Sequence, residues 1–486
     1  MQIPFAEWAP DSAALNSNVA ADVRGVLCAA NSYIPFPSLV SVSEPLPDKP
    51  LGYFTARSLA GGEVVIFAAT SEKIYRMDNT DFSWNDVSQN GTTYAASDDA
   101  LWSFAQFGDY VVAVNKNDDP QYFQIGVSTE FADLPGSPPR ANQVRVWGDF
   151  LALIQLTSNP NRVHWSGLND ITQWTPGANN CDFQDFPDGG IVQGSSEATN
   201  PVIILERAIY VATFIPGSVS VFNFTKVHDQ RGAASDKSIA TRGSYMFYAD
   251  RGGFFQIGAD GSLANIGFEK VDRTIFGSLA APDIASMRGV VDPFYSRVYW
   301  AADMGGVGFF NRLYVYDWNL QRWSQAHVSI HGHFPAASTG TTLEGLDDIS
   351  ASLDDLPFSL DSKVWQGGAP ILAAFTMDYR LAFFNGPPMR AVLTTQEVGD
   401  TAGQVTFLRE VMPVVDTDEV SVEIGSRFRR SDPVNWLQAR RPSAATGMVQ
   451  CRARGRFHRF RVSIDPGSLW THAQGIDVKP QPMGIR

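Results

Sequence analysis

Residues 140–177 read RANQVRVWGDFLALIQLTSNPNRVHWSGLNDITQWTPG, and this stretch decides the fold. An apolar strand around 144–146 turns at Gly148-Asp149 and returns through 150–156. A polar loop, a second strand at 162–166 and a turn at 167–170 follow. A short edge strand near Trp174 then ends at Pro176-Gly177. Apolar runs of strand length between Gly, Asp and Pro turn signals predict a self-contained β-module.

Parts of the module recur. Phe107-Gly108-Asp109-Tyr110-Val111 matches Trp147-Gly148-Asp149-Phe150-Leu151, an aromatic–Gly–Asp–aromatic–aliphatic hairpin 40 residues on. Tyr75-x-Met77-Asp78 with Trp84 is echoed by Tyr314-x-Tyr316-Asp317 with Trp323, the Trp six residues after the Asp in both. That pattern is a strand, a turn opened by Asp, and an edge strand anchored by Trp. Weaker hairpins lie at 207–214, 243–257 and 297–303. Units of roughly 35–50 residues with four short strands each predict a β-propeller, because one such sheet cannot bury both faces but a ring of them can. Six candidate blades emerge, at 51–90, 93–134, 140–177, 190–228, 232–272 and 281–327.

The flanks read differently. Residues 1–50, with seven prolines from Pro4 to Pro50, predict an extended N-terminal arm. Residues 328–368 predict a solvated acidic linker in which Leu346-Asp347-Asp348, Leu353-Asp354-Asp355 and Leu360-Asp361 recur every seven residues. No Dx[DN]x[DN]G loop marks them as a Ca²⁺ site. Strand patterns resume over 369–486 and predict a C-terminal β-sandwich or barrel. The fold class is therefore all-β, a six-bladed propeller with an additional C-terminal β domain.

Composition agrees: 12% aromatic residues, 41 Gly and 29 Pro suit many short strands joined by tight turns. No apolar run reaches the length of a membrane span, and the N-terminus lacks the basic and apolar regions of a signal peptide, so synthesis in a cytoplasm is expected. Cys28, Cys181 and Cys451 are too few and too scattered for a disulfide framework and form no CxxC pair. The net charge is −14, yet 427–461 holds ten arginines against Asp432 alone, +9, leaving −23 elsewhere. That balance argues against phosphate affinity as the main task. Arg452, Arg454 and Arg456 alternate, with Arg459 and Arg461 following, and predict cations on a strand face. Together with Asp347, Asp348, Asp354 and Asp355 they are the candidate interface. The bland reading of the same arginines is an edge strand protected by charge.

No catalytic or cofactor motif is found: no GxSxG, HExxH or P-loop. His327, His331 and His333 could chelate a metal on a helix, but Gly332 and Pro335 favour a loop, and no metal or cofactor is expected. Arg145, Arg207, Asp250 and Arg251 are the funnel candidates of a sugar-cleaving propeller, without the SxDxGxTW turn of sialidase-like blades.

Four stretches carry a resemblance. IPFAEWAPD…YIPFPSL…PLGYFTAR near the N-terminus, WSGLNDITQWTPG at 165–177, DDLPFSLDSKVWQGG at 354–368 and GRFHRFRVSIDPG…WTHAQGIDV at 455–478 together resemble the packaged-DNA stabilisation and tail-nozzle proteins of short-tailed bacteriophages. The resemblance implies a non-enzymatic virion tail protein, a hexameric nozzle ring below the portal and adaptor. Double-stranded DNA would pass that ring without specific binding, an acidic wall letting phosphate slide. The basic strand would dock on an acidic neighbour. The alternative expectation is a phage-encoded glycan-binding or glycan-cleaving propeller that contacts the host surface.

Overall fold

The computed structural model describes residues 1–12, 15, 19–59, 62–218, 220–338, 368–399 and 404–483. Seven four-stranded antiparallel sheets form a propeller. Blades 1 to 6 occupy 52–86, 103–133, 141–185, 192–229, 240–265 and 288–326. Blade 7 takes Gly332–Ala337, Pro370–Phe375 and Arg380–Pro388, and its fourth, outermost strand is Pro37–Pro45 from near the N-terminus. The ring closes where the innermost strand of blade 7, Gly332–Ala337, packs on the innermost strand of blade 1, Gly52–Arg57. At that seam Gly332 is required, since a Cβ there would lie 2.1 Å from the Tyr53 hydroxyl.

The local sequence explains the blades. Middle strands are covered by a neighbouring blade on each face, so they read as continuous apolar runs. Val64–Ala69 and Val202–Leu205 are buried at every position. Between blades 1 and 2, Phe67 is fully buried, with Phe123 and Phe131 rings at 5.3 and 5.5 Å. Its burial contributes about 2–3 kcal/mol, and the edge-on ring pairs add to that. The repeated Gly-Asp hairpin joins the first and second strands of blades 2 and 3, where Phe107 pairs with Tyr110 and Trp147 with Phe150. Gly148 has φ +60°, as a hairpin turn with glycine at its first central position demands. The second echo is the outer hairpin of blades 1 and 6. Trp84 faces Met77, Trp323 faces Tyr316, and Asp78 and Asp317 accept the turn N–H bonds.

Two expectations are corrected here. Among the described residues the blades number seven, not six; the seventh draws its strands from two distant parts of the chain and so leaves no contiguous repeat. The fourth strand of blade 3 is Asp182–Asp185; Trp174 instead lies buried in the preceding loop, its indole N–H donating to the Ile171 carbonyl at 2.8 Å. Left-handed Asn179 and Asn180 follow Pro176-Gly177 and carry the chain round to the later strand.

The remaining strands form a β-sandwich of a six-stranded and a seven-stranded sheet. Residues 1–50 are not a free arm: Gln2–Pro4, Val26–Cys28 and Tyr33–Pro35 belong to the first sheet, and Glu7–Trp8 and Val19–Arg24 to the second. The boundaries at 328–368 and 369–486 move for the same reason. Residues 332–338 and 368–388 belong to the propeller, and the C-terminal half of the sandwich starts at Ala391. The propeller is thus an insertion within the sandwich, entered at Pro37 and left at Pro388, which face each other in adjacent strands. One apolar core spans the junction with blade 6: Trp8 stacks on Tyr314 at 6.4 Å, and the Cys28 thiol donates to the Trp323 carbonyl at 3.3 Å.

Candidate functional site

The strand Val449–Gly455 alternates buried and exposed residues without a break, and it is an edge of the six-stranded sheet. Cys451 and Ala453 point into the core, while Arg452 and Arg454 are exposed. On the next strand Phe407 pairs with Arg454 in register, and exposed Arg409 lies over the Phe407 ring at 6.0 Å. Arg409, Arg452 and Arg454 therefore make one outward basic face, of which sequence reading found two members. Arg409 sits at a strand irregularity, so alternation could not place it.

The other three arginines differ. Phe457–Ile464 is an inner strand, so its cations meet partners within the sandwich. Arg461 bonds Glu423 at 3.0 Å and stacks on Trp436 at 4.3 Å. Arg459 lies 3.6 Å from Glu397, a carboxylate 2% exposed that Arg427 also holds at 2.5 Å. Arg456 is half-buried. Arg459 and Arg461 fix the sandwich, and of the five candidate arginines only Arg452 and Arg454 are presented outward. Asp347, Asp348, Asp354 and Asp355 lie outside the described residues.

A second feature lies on the propeller axis. A cavity of about 500 Å³ opens where the innermost strands begin. Arg145 from blade 3 lines it, its guanidinium donating to Ser103 Oγ at 3.3 Å and to the Val144 carbonyl at 3.0 Å. Arg288 from blade 6 bonds the Tyr53 hydroxyl at 3.0 Å. Lys237 donates to the Asp98 backbone carbonyl at 2.7 Å; burial, and charges including Arg288 nearby, hold its ammonium below the usual lysine range. Of the four funnel candidates, Arg145 alone lines this cavity. Arg207 is an exposed turn residue of blade 4, and Asp250 lies with Arg231 at 3.8 Å beside Arg251 in blade 5.

The histidines do not converge on a metal: His333 is buried in a blade 7 strand, and burial pushes its imidazole down to about 4. Among the described residues no group of three or more His, Cys, Asp or Glu side chains could hold a metal ion. All three cysteines are buried and unbridged, and desolvation raises their thiols, Cys181 and Cys451 to about 11. Among the described residues no helix is long and apolar enough to cross a membrane.

No protein-family model matches the chain, and no curated protein matches it. Among solved structures it is similar to YCF48 from Cyanidioschyzon merolae, at 11% identity over 72% of this chain and 98% of that one, TM-score 0.39. It is similar to a chain of the BBS1N–ARL6DN complex at 9% identity over 72% and 96%, TM-score 0.37. It is also similar to Hsv2p of Kluyveromyces lactis at 10% identity over 56% and 75%, TM-score 0.33. The chain is an all-β protein whose architecture is a β-propeller carried by a second β domain.

Proposed function

We propose that this chain is a structural subunit of a phage tail that assembles head to tail into a closed ring, a nozzle through which DNA leaves the particle. The observation that carries the reading is the segregation of charge along the fold. The propeller segment 37–388 has 22 Lys and Arg against 38 Asp and Glu, −16, whereas the sandwich segments have 15 against 13, +2. The sandwich also presents Arg409, Arg452 and Arg454 outward on one face. A subunit with unlike charge on its two domains is complementary to its own copies, and a repeated heterologous contact forms a ring when its rotation closes. An acidic propeller repels passing phosphate rather than holding it. The resemblance of four stretches to tail-nozzle proteins supplies the biological setting and the expected sixfold symmetry.

The test replaces Arg452 and Arg454 by serine and measures mass in solution, alone and with portal–adaptor particles. A wild-type ring that the double variant fails to form, with thermal stability unchanged, supports the reading. A wild-type chain that stays monomeric under both conditions, or a variant that assembles normally, overturns it.

A further inference from the structure

We infer that the axial cavity of the propeller is a binding site for an acidic saccharide, with the carboxylate of a uronate held between Arg145, Lys237 and Arg288. The first observation is local charge reversal. The cavity is lined by four cations, Lys116 and these three, against two carboxylates, Asp99 and Asp236, inside a segment where acids outnumber bases 38 to 22. Of the four cations Arg145 alone has an ion pair among the described residues, a long one to Glu197. Arg288 rests on a neutral tyrosine hydroxyl, Lys237 on a backbone carbonyl, and the carboxylate nearest Arg145 is Glu197 at 3.8 Å. The Nε atoms of Arg145 and Arg288 are both buried without a hydrogen-bond partner, an arrangement a bound carboxylate would relieve.

The second observation is a strained polar rim. Gln155 has φ +57° inside the strand Phe150–Leu156, and it is the one non-glycine strand residue in the left-handed region among the described residues. Such strain marks sites where side-chain placement matters. Its Oε1 accepts from Asn142 Nδ2 at 2.7 Å, and the same Asn142 nitrogen donates to Asp236 at 2.7 Å. Asn142 Oδ1 and Gln155 Nε2 remain, an acceptor beside a donor. Sugar hydroxyls both donate and accept, so that pair fits them. Half-buried Tyr53 and Phe54 give the cavity apolar wall, and the volume lies in the range of small-ligand pockets. The inference does not rest on the ring proposal, since it concerns a different face and can fail alone.

The experiment is calorimetric titration of the full chain with trigalacturonate, with the neutral galactose trimer, and with an acidic peptide of equal charge. Arg145→Gln, Arg288→Gln and Arg207→Gln, at an exposed turn of blade 4 away from the cavity, are measured alongside. Saturable binding of trigalacturonate is expected, weakened by added salt, with the neutral trimer and the peptide weaker by roughly tenfold or more. Arg145→Gln and Arg288→Gln should each lose roughly tenfold or more with melting unchanged, and Arg207→Gln should match wild type. Equal binding of the neutral trimer, preference for the peptide, no binding of trigalacturonate, or full retention of affinity in Arg288→Gln overturns it. Should Arg288→Gln fail to fold, Arg145→Gln alone decides.

Discussion

The outermost strand of blade 7 comes from near the N-terminus, and Ser43→Ala tests one small side chain that holds it there. Ser43 is 2% exposed on the outermost strand of blade 7. Its Oγ accepts from the Leu381 backbone N–H at 2.9 Å within that blade and from Trp84 Nε1 of blade 1 at 3.2 Å, and it donates to the Glu44 carbonyl at 2.7 Å. Alanine removes all three bonds but not all three groups are stranded. Trp84 Nε1 still donates to the Glu44 carbonyl at 2.9 Å, which also keeps that carbonyl satisfied. Leu381 N–H is left buried and unpaired, and such an orphan costs about 1–3 kcal/mol. The expected loss is therefore about 2 kcal/mol. Urea unfolding followed by tryptophan fluorescence would read it as a lower midpoint, shifted by at most about 0.7 M for a slope at or above the upper end for small proteins. Because Trp84 borders the lesion, its emission should change with the main transition and not before it. A midpoint within error of wild type, or a loss under about 0.5 kcal/mol, would refute the claim that this hydroxyl holds Pro37–Pro45 onto blade 7.

Glu397→Gln should destabilise by about 3 kcal/mol, since it leaves Arg427 and Arg459 without their shared buried carboxylate; equilibrium denaturation checks it, and a neutral result refutes it. Arg452→Ser with Arg454→Ser should by contrast change stability by less than about 0.5 kcal/mol, as both side chains are exposed; calorimetry on the same samples used for mass measurement decides. Acid should weaken the fold well above the carboxylate range. Burial depresses His333 and His458 to about 4, so they are neutral in the fold but charge on unfolding below about 6.5, and their stabilisation is lost as pH falls toward 4. Asp272, raised to about 6 by burial, works in the opposite sense. These three groups alone net about one proton, a slope near 1.4 kcal/mol per pH unit between pH 6 and 4. His164, His327 and His331, also lowered by burial, add in the same sense, so denaturation across that range should give at least this slope, and His458→Gln should flatten it.

What the sequence made legible follows from which contacts are local. The Gly148 hairpin and the Asp317–Trp323 turn are set by neighbours a few residues apart, so their recurrence exposed six blades. Blade 7 stayed hidden because Pro37–Pro45 pairs with Arg380–Pro388, and no short-range pattern records such a partner. Its terminal prolines, read as signs of an irregular arm, are tolerated because the strand is outermost and needs only one ladder. The interface was half legible for the same reason. Strict alternation in Val449–Gly455 put Arg452 and Arg454 on the surface, but Arg459 and Arg461 lie on an inner strand whose acids, Glu397 and Glu423, come from other parts of the chain. The axial cavity was nearly illegible: Arg145 and Arg288 are brought together only by closure of the ring.

Insertion of the propeller into the sandwich also sets an order of events during synthesis. The first sandwich strands and the closing strand Pro37–Pro45 leave the ribosome early, but their partners Arg380–Pro388, Ala391–Thr395 and Ala473–Pro482 come hundreds of residues later. At about 5–20 residues per second, the roughly 335 residues between Pro45 and Arg380 take on the order of 20–70 s to translate. For that interval an N-terminal segment with unpaired strand edges and apolar residues such as Phe5, Trp8, Val26 and Tyr33 waits without its core. Blades 1 to 6 can stack one after another as they emerge, yet neither domain closes until the C-terminal strands arrive. A nascent chain of this design is held in an aggregation-prone state by its topology, and chaperone binding to its first 45 residues would protect it for most of its synthesis.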